Sequence, residues 1–153
     1  MSVRPIQNHD FAKLVELGQM MHAEGEYRFL PFEEARCVAI LERCLAQPDS
    51  WCGLVAEAAG EVVGMLIGFR SPYLFCSETS ASDVVLYVEP AHRGSFSAVR
   101  LIRRFVEWAR QKGAREVCLS TSLNVDSQRT SAFIRRLGFT QVGGVFKRRL
   151  DVP

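Results

Sequence analysis

The segment Leu86-Tyr87-Val88-Glu89-Pro90-Ala91-His92-Arg93-Gly94-Ser95-Phe96-Ser97-Ala98 carries residue types that suit an anion. An apolar run stops at Pro90, small and polar residues follow, and a helical pattern opens at Ala98. A strand that passes through such a loop into a helix gathers unpaired backbone N–H groups and the positive end of the helix dipole at one point. Arg93 would add a full positive charge, and Gly94 with the neighbouring serines keeps the backbone open to close approach. As bare spacing this fits a phosphate cradle, and a tight strand-to-helix turn without a ligand is the commoner outcome.

Carboxylates are the second group that could do chemistry. Asp83 opens the apolar run Val84-Val85-Leu86, where an acid is either a solvated strand-edge residue or a base that reaches a cleft through water. Glu89, at the other end of that run, reads first as a solvated loop carboxylate. Glu24 and Glu26 stand beside Tyr27 at the close of a helical pattern, where a solvated helix terminus is the bland reading. His22 does not join them as a metal cluster, because spacing of i, i+2, i+4 does not place three side chains on one helical face. His92 reads as a solvent-facing loop residue, and Lys147-Arg148-Arg149 as surface charge.

These groups need elements to position them. Residues 2–7 can form a short first strand, and Asn8 or Asp10 can cap a helix with apolar positions Phe11, Leu14, Val15, Leu17, Met20 and Met21, ending near Gly25. Pro31 suits a second helix start, and Cys37, Ile40, Leu41 and Leu45 make its stripe before Pro48. Two β-rich runs, 51–58 and 61–70, meet at the hairpin signal Ala59-Gly60, and another strand is predicted over 83–89. Ala98, Ile102, Phe105 and Ala109 line a long helix that Lys112-Gly113 stops. A strand over 116–121, a helix over 126–137 and one or two closing strands over 141–150 complete the order β-α-α-β-β-β-α-β-α-β, an α/β fold.

At 153 residues and 48% hydrophobic content, a single domain spanning 1–153 is expected. A net charge of +2 supplies no global field to recruit nucleic acid or an anionic membrane, and no basic stripe with interleaved aromatics is present. The polar N-terminus and the glycine-interrupted run at 62–69 predict neither a signal peptide nor a membrane span. Five scattered cysteines without a CxxC pair predict reduced thiols in a cytoplasmic protein and no metal site.

The run V-x-P-x-x-R-G at Val88 to Gly94, the long helix after it, Arg115-Glu116-Val117-Cys118-Leu119, and Arg136-Leu137-Gly138-Phe139 together resemble the coenzyme-A-binding half of a GNAT acyltransferase. The hairpin from Val55 to Gly64 is similar to the second and third strands of that family, so the resemblance spans nearly the whole chain. It implies a mixed, mostly antiparallel sheet flanked by helices, and direct transfer of an acetyl group from acetyl-CoA to a primary amine of a small molecule, peptide or protein. It also implies that the pantetheine arm pairs with the backbone of Leu86, Tyr87 and Val88 while the pyrophosphate takes the N–H groups from Gly94 through Ser95, Phe96 and Ser97 to Ala98, next to Arg93. Ser127, Arg129 and Thr130 would approach the coenzyme from the last helix, and a homodimer through terminal strands is a further implication. Glu24 and Glu26 fall where the family often lines its acceptor pocket, so Glu24 joins Asp83 as a candidate base.

Such a base has real work, since an alkylammonium of pKa near 10 must give up a proton at a cost on the order of 4 kcal/mol at neutral pH. Three residues depart from the family pattern. Phe96 stands at the first glycine of the loop, with its ring expected to point into the core and leave the backbone path open, the alternative being a ring that narrows the phosphate cradle; Ser127 stands where asparagine is frequent; Ile134 replaces the tyrosine that commonly protonates the leaving thiolate. Tyr87, Cys118 and Ser120 are the available substitutes, each reading first as a structural residue. The alternative to an enzyme is a catalytically degenerate acyl-CoA-binding regulatory module.

Overall fold

Alternation of apolar side chains from Trp51 onward builds a sheet that is buried on both faces. A computed structural model describes residues 1–120 and 127–151. Its elements are β1 (Ser2–Pro5), α1 (Phe11–Glu24), α2 (Glu34–Ala46), β2 (Trp51–Ala58), β3 (Glu61–Pro72), β4 (Thr79–Val88), α3 (Ser97–Gln111), β5 (Val117–Cys118) and α4 (Ser127–Arg136). The five strands lie in the order β1-β2-β3-β4-β5, all neighbours antiparallel except the parallel pair β4 and β5. This is the mixed, mostly antiparallel sheet that was expected.

Successive residues of the central strands serve two cores. Val55, Met65, Ile67 and Tyr87 pack with Leu14, Leu17 and Leu41 of α1 and α2. Leu54, Ala56, Leu66 and Val88 pack with Leu101, Ile102 and Phe105 of α3. The first face is tied down by Arg4, which grips the buried Asp10 carboxylate with two nitrogens, at 2.7 and 2.9 Å, and reaches Glu57 at 2.8 Å.

The pairing of β3 with β4 slips once, with a consequence for the site. Ile67 lies opposite Val85 and Gly68 opposite Asp83, which leaves Val84 as the extra residue of a β-bulge. Ile67 faces the α1 core, whereas a Cβ on Gly68 would point at the Phe105 ring. Asp83 and Val85 therefore face opposite sides although both are odd-numbered. Gly68 is required by the same packing, since its Cβ would come within 2.5 Å of Phe105 and 2.9 Å of the Ser82 carbonyl. Gly68→Ala is expected to destabilise the fold by about 1–3 kcal/mol through overpacking; an unchanged urea midpoint would contradict this contact.

Three boundaries differ from expectation. β4 begins at Thr79 and so absorbs part of the polar stretch before Asp83. β5 is short, because the described residues pair only at Val117 and Cys118. Among the described residues no strand follows α4, so the closing strand expected over 141–150 is not formed. Val142, Val145, Phe146 and Leu150 are all exposed; their spacing does not alternate, and Gly143 with Gly144 interrupts the run. Among the described residues no helix is long and apolar enough to cross a membrane.

Candidate active site

β4 and β5 are paired at Ala81 with Val117 and at Ser82 with Cys118, and β4 then runs on through Val88 with no described strand beside it. On its other side the Glu89 N–H donates to the Val63 carbonyl at 2.9 Å, and Val88 stands opposite Gly64. In an antiparallel ladder that pattern makes Val88, and Leu86 two residues earlier, non-hydrogen-bonded pairs, whose N–H and C=O groups point away from β3. The result is a row of backbone donors and acceptors along a cleft of about 780 Å³, the size of a small-molecule or cofactor site. Leu119 and Ser120 form its far wall, and Arg129, Thr130, Phe133 and Ile134 of α4 line it too.

Asp83 stands at the fork. Its carboxylate accepts the Ser120 backbone N–H at 2.8 Å. Burial pushes its pKa from 3.8 up to about 6, and the hydrogen bonds from Ser120 only partly offset that rise. A carboxyl group tuned this way is ionised at neutral pH and still basic enough to accept a proton from an amine or a water.

Glu24 has a different environment. One oxygen accepts the Tyr87 hydroxyl, and the other accepts Arg93 Nη2 at 2.7 Å. Desolvation works to raise its pKa, and the hydrogen bonds from Tyr87 and Arg93 overcome it, leaving the group below the ordinary carboxylate range. Both Glu24 oxygens are thus engaged, and its pKa moves opposite to that of Asp83. The same network pushes the Tyr87 phenol well above its usual range, through burial first and Glu24 second. Tyr87 directs its proton at Glu24 and so is not placed to replace the missing tyrosine at Ile134. Glu26 is paired with Lys147, which also reaches Tyr27 Oη at 2.7 Å.

The anion loop keeps its open backbone. Gly94 adopts φ +81°, a left-handed conformation, and no atom lies within 4 Å of where its Cβ would be. Ser95 Oγ donates to the His92 carbonyl at 2.6 Å and accepts the Ser97 N–H at 3.3 Å, which closes the turn into α3. Leu86, Tyr87, Val88, Arg93, Gly94 and Ser95 line the cleft, as do Phe96 and Ala98. Ser97 does not: its side chain is fully buried against Met1 Sδ. Arg129 and Thr130 line the cleft from α4, while the Ser127 side chain lies outside the described residues.

Phe96 corrects the expectation that its ring enters the core, for it is 71% exposed at the cleft. Ser97, Leu101, Ile102, Phe105 and Ala109 make the buried stripe of α3. Phe96, one residue before that stripe begins, shares the exposed side of the helix with Arg100, Arg103 and Arg104. The three contacts that sequence reading missed, Asp83 with Ser120, Glu24 with Tyr87 and Glu24 with Arg93, join residues 37, 63 and 69 positions apart. Nothing local signals them. Among the described residues no group of three or more His, Cys, Asp or Glu side chains is placed to hold a metal ion.

The sequence model of the acetyltransferase (GNAT) family matches residues 17–139. The chain belongs to the GNAT family. No curated protein sequence matches it. Among solved structures, the transcriptional regulator from Bacillus halodurans C-125 is 20% identical with a TM-score of 0.78, covering 97% of this chain and 99% of that one. The aminoglycoside 6'-N-acetyltransferase AAC(6')-IG from Acinetobacter haemolyticus is 24% identical with a TM-score of 0.74, covering 99% of this chain and 100% of that one. AAC(6')-Iy in complex with a CoA bisubstrate analogue is 19% identical with a TM-score of 0.78, covering 99% of this chain and 98% of that one. At these identities the likeness is one of fold, and GNAT membership rests on the family match.

Proposed function

We propose that this GNAT protein transfers an acetyl group from acetyl-CoA to a primary amine of a small molecule or peptide, with Asp83 as the base. The observation that carries this reading is the cleft-facing edge of β4, which has no described strand beside it past Ser82, ends on the Arg93–Ala98 loop and has a carboxyl group of raised pKa at its fork. A pantetheine arm is an amide chain, and it finds a donor and an acceptor at Leu86 and a donor at Val88, whose carbonyl already accepts Arg93 Nε. The diphosphate then falls to the N–H groups of the Gly94 loop and the start of α3. Phe96 lines the mouth of the cleft with its ring exposed.

In the reaction the amine nitrogen attacks the thioester carbonyl carbon, the C–S bond breaks, and the coenzyme leaves as a thiolate. A backbone N–H near Val88 stabilises the charge that develops on the carbonyl oxygen. Asp83 takes the proton from the amine, directly or through one water, and the thiolate is protonated by solvent because Ile134 cannot donate. Free cysteines fit a reducing cytoplasmic setting.

The test is calorimetric titration with acetyl-CoA and with its dephospho- and desulfo-analogues, followed by thiol release with amine acceptors. Aminoglycosides come first in that screen, because two of the similar structures are aminoglycoside acetyltransferases. Binding that depends on the phosphates together with thiol release is the expected result. Binding without thiol release for any amine would favour a regulatory module, the reading that Ile134 in the cleft supports. Absence of binding would sink the coenzyme site.

A further inference from the structure

Arg93 has three engagements that do not belong to a residue waiting for phosphate. Its Nη2 donates to Glu24 at 2.7 Å, its Nε donates to the Val88 carbonyl at 3.0 Å, and its guanidinium lies over the Tyr87 ring, 5.3 Å from the centroid. Val88 supplies one of the cleft-facing carbonyls of β4, and Glu24 ends α1. One side chain therefore joins the anion loop, the free strand edge and a carboxylate brought in from the opposite core.

We propose, on the coenzyme reading given above, that Glu24 is the resident anion of the phosphate site: its carboxylate holds Arg93 in place, and the coenzyme's diphosphate displaces it. A carboxylate and a phosphate ask the same of a guanidinium, a pair of parallel N–H donors with full opposite charge. Both cannot hold Arg93 in full. The Glu24–Arg93 pair is partly exposed, so little free energy stands against its exchange. Once Arg93 has turned to the diphosphate, its hold on the Val88 carbonyl loosens and that acceptor is released to the pantetheine amide. Glu24 then retains the Tyr87 hydroxyl and loses its counter-ion.

Glu24 is thus a positioning residue that acts through Arg93 and sets coenzyme affinity from below. The inference separates from a purely structural role, because a group that merely preorganises Arg93 would strengthen coenzyme binding, whereas a competing anion weakens it. Glu24→Gln keeps the shape and an acceptor for Tyr87 and removes the charge; Glu24→Ala serves if the glutamine variant does not fold.

The experiment is calorimetric titration of coenzyme A into the parent, Glu24→Gln, Arg93→Gln and the double variant, with ring resonances of Tyr87 followed by NMR and assigned through Tyr87→Phe. Glu24→Gln is expected to bind coenzyme A about twofold to fivefold more tightly than the parent, the scale of a partly exposed ion pair. In the Arg93→Gln background the same substitution should change nothing, and in the parent the Tyr87 resonances should shift on binding as the guanidinium leaves the ring. Weaker or unchanged binding by Glu24→Gln, or tightening that persists without Arg93, overturns the inference while leaving the coenzyme site intact. Failure of the parent itself to bind coenzyme A overturns both.

Discussion

Asp83→Asn is expected to lower kcat by about 10²- to 10³-fold, the range of a lost general base, with coenzyme affinity unchanged. The substitution keeps the side-chain oxygen that can accept the Ser120 N–H, so the fork between β4 and β5 is preserved while the proton acceptor is lost. In the parent the rate should climb through pH about 6, where burial has placed the Asp83 pKa, and then level. That inflection should be missing from the variant. A variant as fast as the parent at every pH would remove Asp83 from the mechanism.

The same residue makes a stability prediction with a definite sign. Its folded pKa is raised from 3.8 to about 6, so between those values the folded state holds the proton more firmly than the unfolded chain does. Stability contributed by this group therefore falls as pH rises through that window, and the penalty is fully present above it. Asp83→Asn removes a partly buried charge and should stabilise the fold at pH 7.5 by about 1 kcal/mol, after allowance for solvent screening. Slower turnover with a higher urea midpoint would mark a group held at a cost for chemistry.

The double substitution Arg93→Ala with Gly94→Pro is expected to weaken coenzyme binding by about 10²-fold or more, from the lost charge-assisted pair and a remodelled loop. Proline holds φ near −65°, far from the +81° that Gly94 adopts, so the N–H groups that follow can no longer converge on one anion. Both residues are exposed and no atom packs on the Gly94 position, so the two cores should survive. Titration with coenzyme A checks affinity, and circular dichroism checks the fold. A folded double variant with parental affinity would move the phosphate site elsewhere.

Much of the fold was legible because its signals are local. The stripe of Ile102, Phe105 and Ala109 marks a helix by its period, and the run 51–70 marks a hairpin by its turn. The loop from Arg93 to Ala98 could be read as an anion site because a helix start carries its own N–H groups, whatever surrounds it. Less legible was the end of the chain, where β-forming residues 142–150 lack alternation and stand exposed. The direction of Phe96 failed for a related reason: a helical stripe tells which residues face the core only once the first turn is placed, and here the buried face starts one residue later.

The chemistry of the two carboxylates was set by tertiary structure. By sequence alone Asp83 and Glu24 were both candidate bases, and nothing in either neighbourhood ranks them. Packing separated them: burial raised the Asp83 pKa against hydrogen bonds that include those from Ser120, while Glu24 gained a phenol and a guanidinium, which lowered its own. The bulge at Val84, which aims Asp83 away from the face of Val85, depends on how β4 registers against Gly68 and Ile67. Sequence by itself carried most of the elements, the reading of an anion loop and the family resemblance, since periodicity, caps and motifs are carried by neighbouring residues. Only the folded chain decided which acid has a raised pKa and which holds Arg93, because a pKa depends on the solvent lost and the partners met across the fold, and sequence spacing encodes neither.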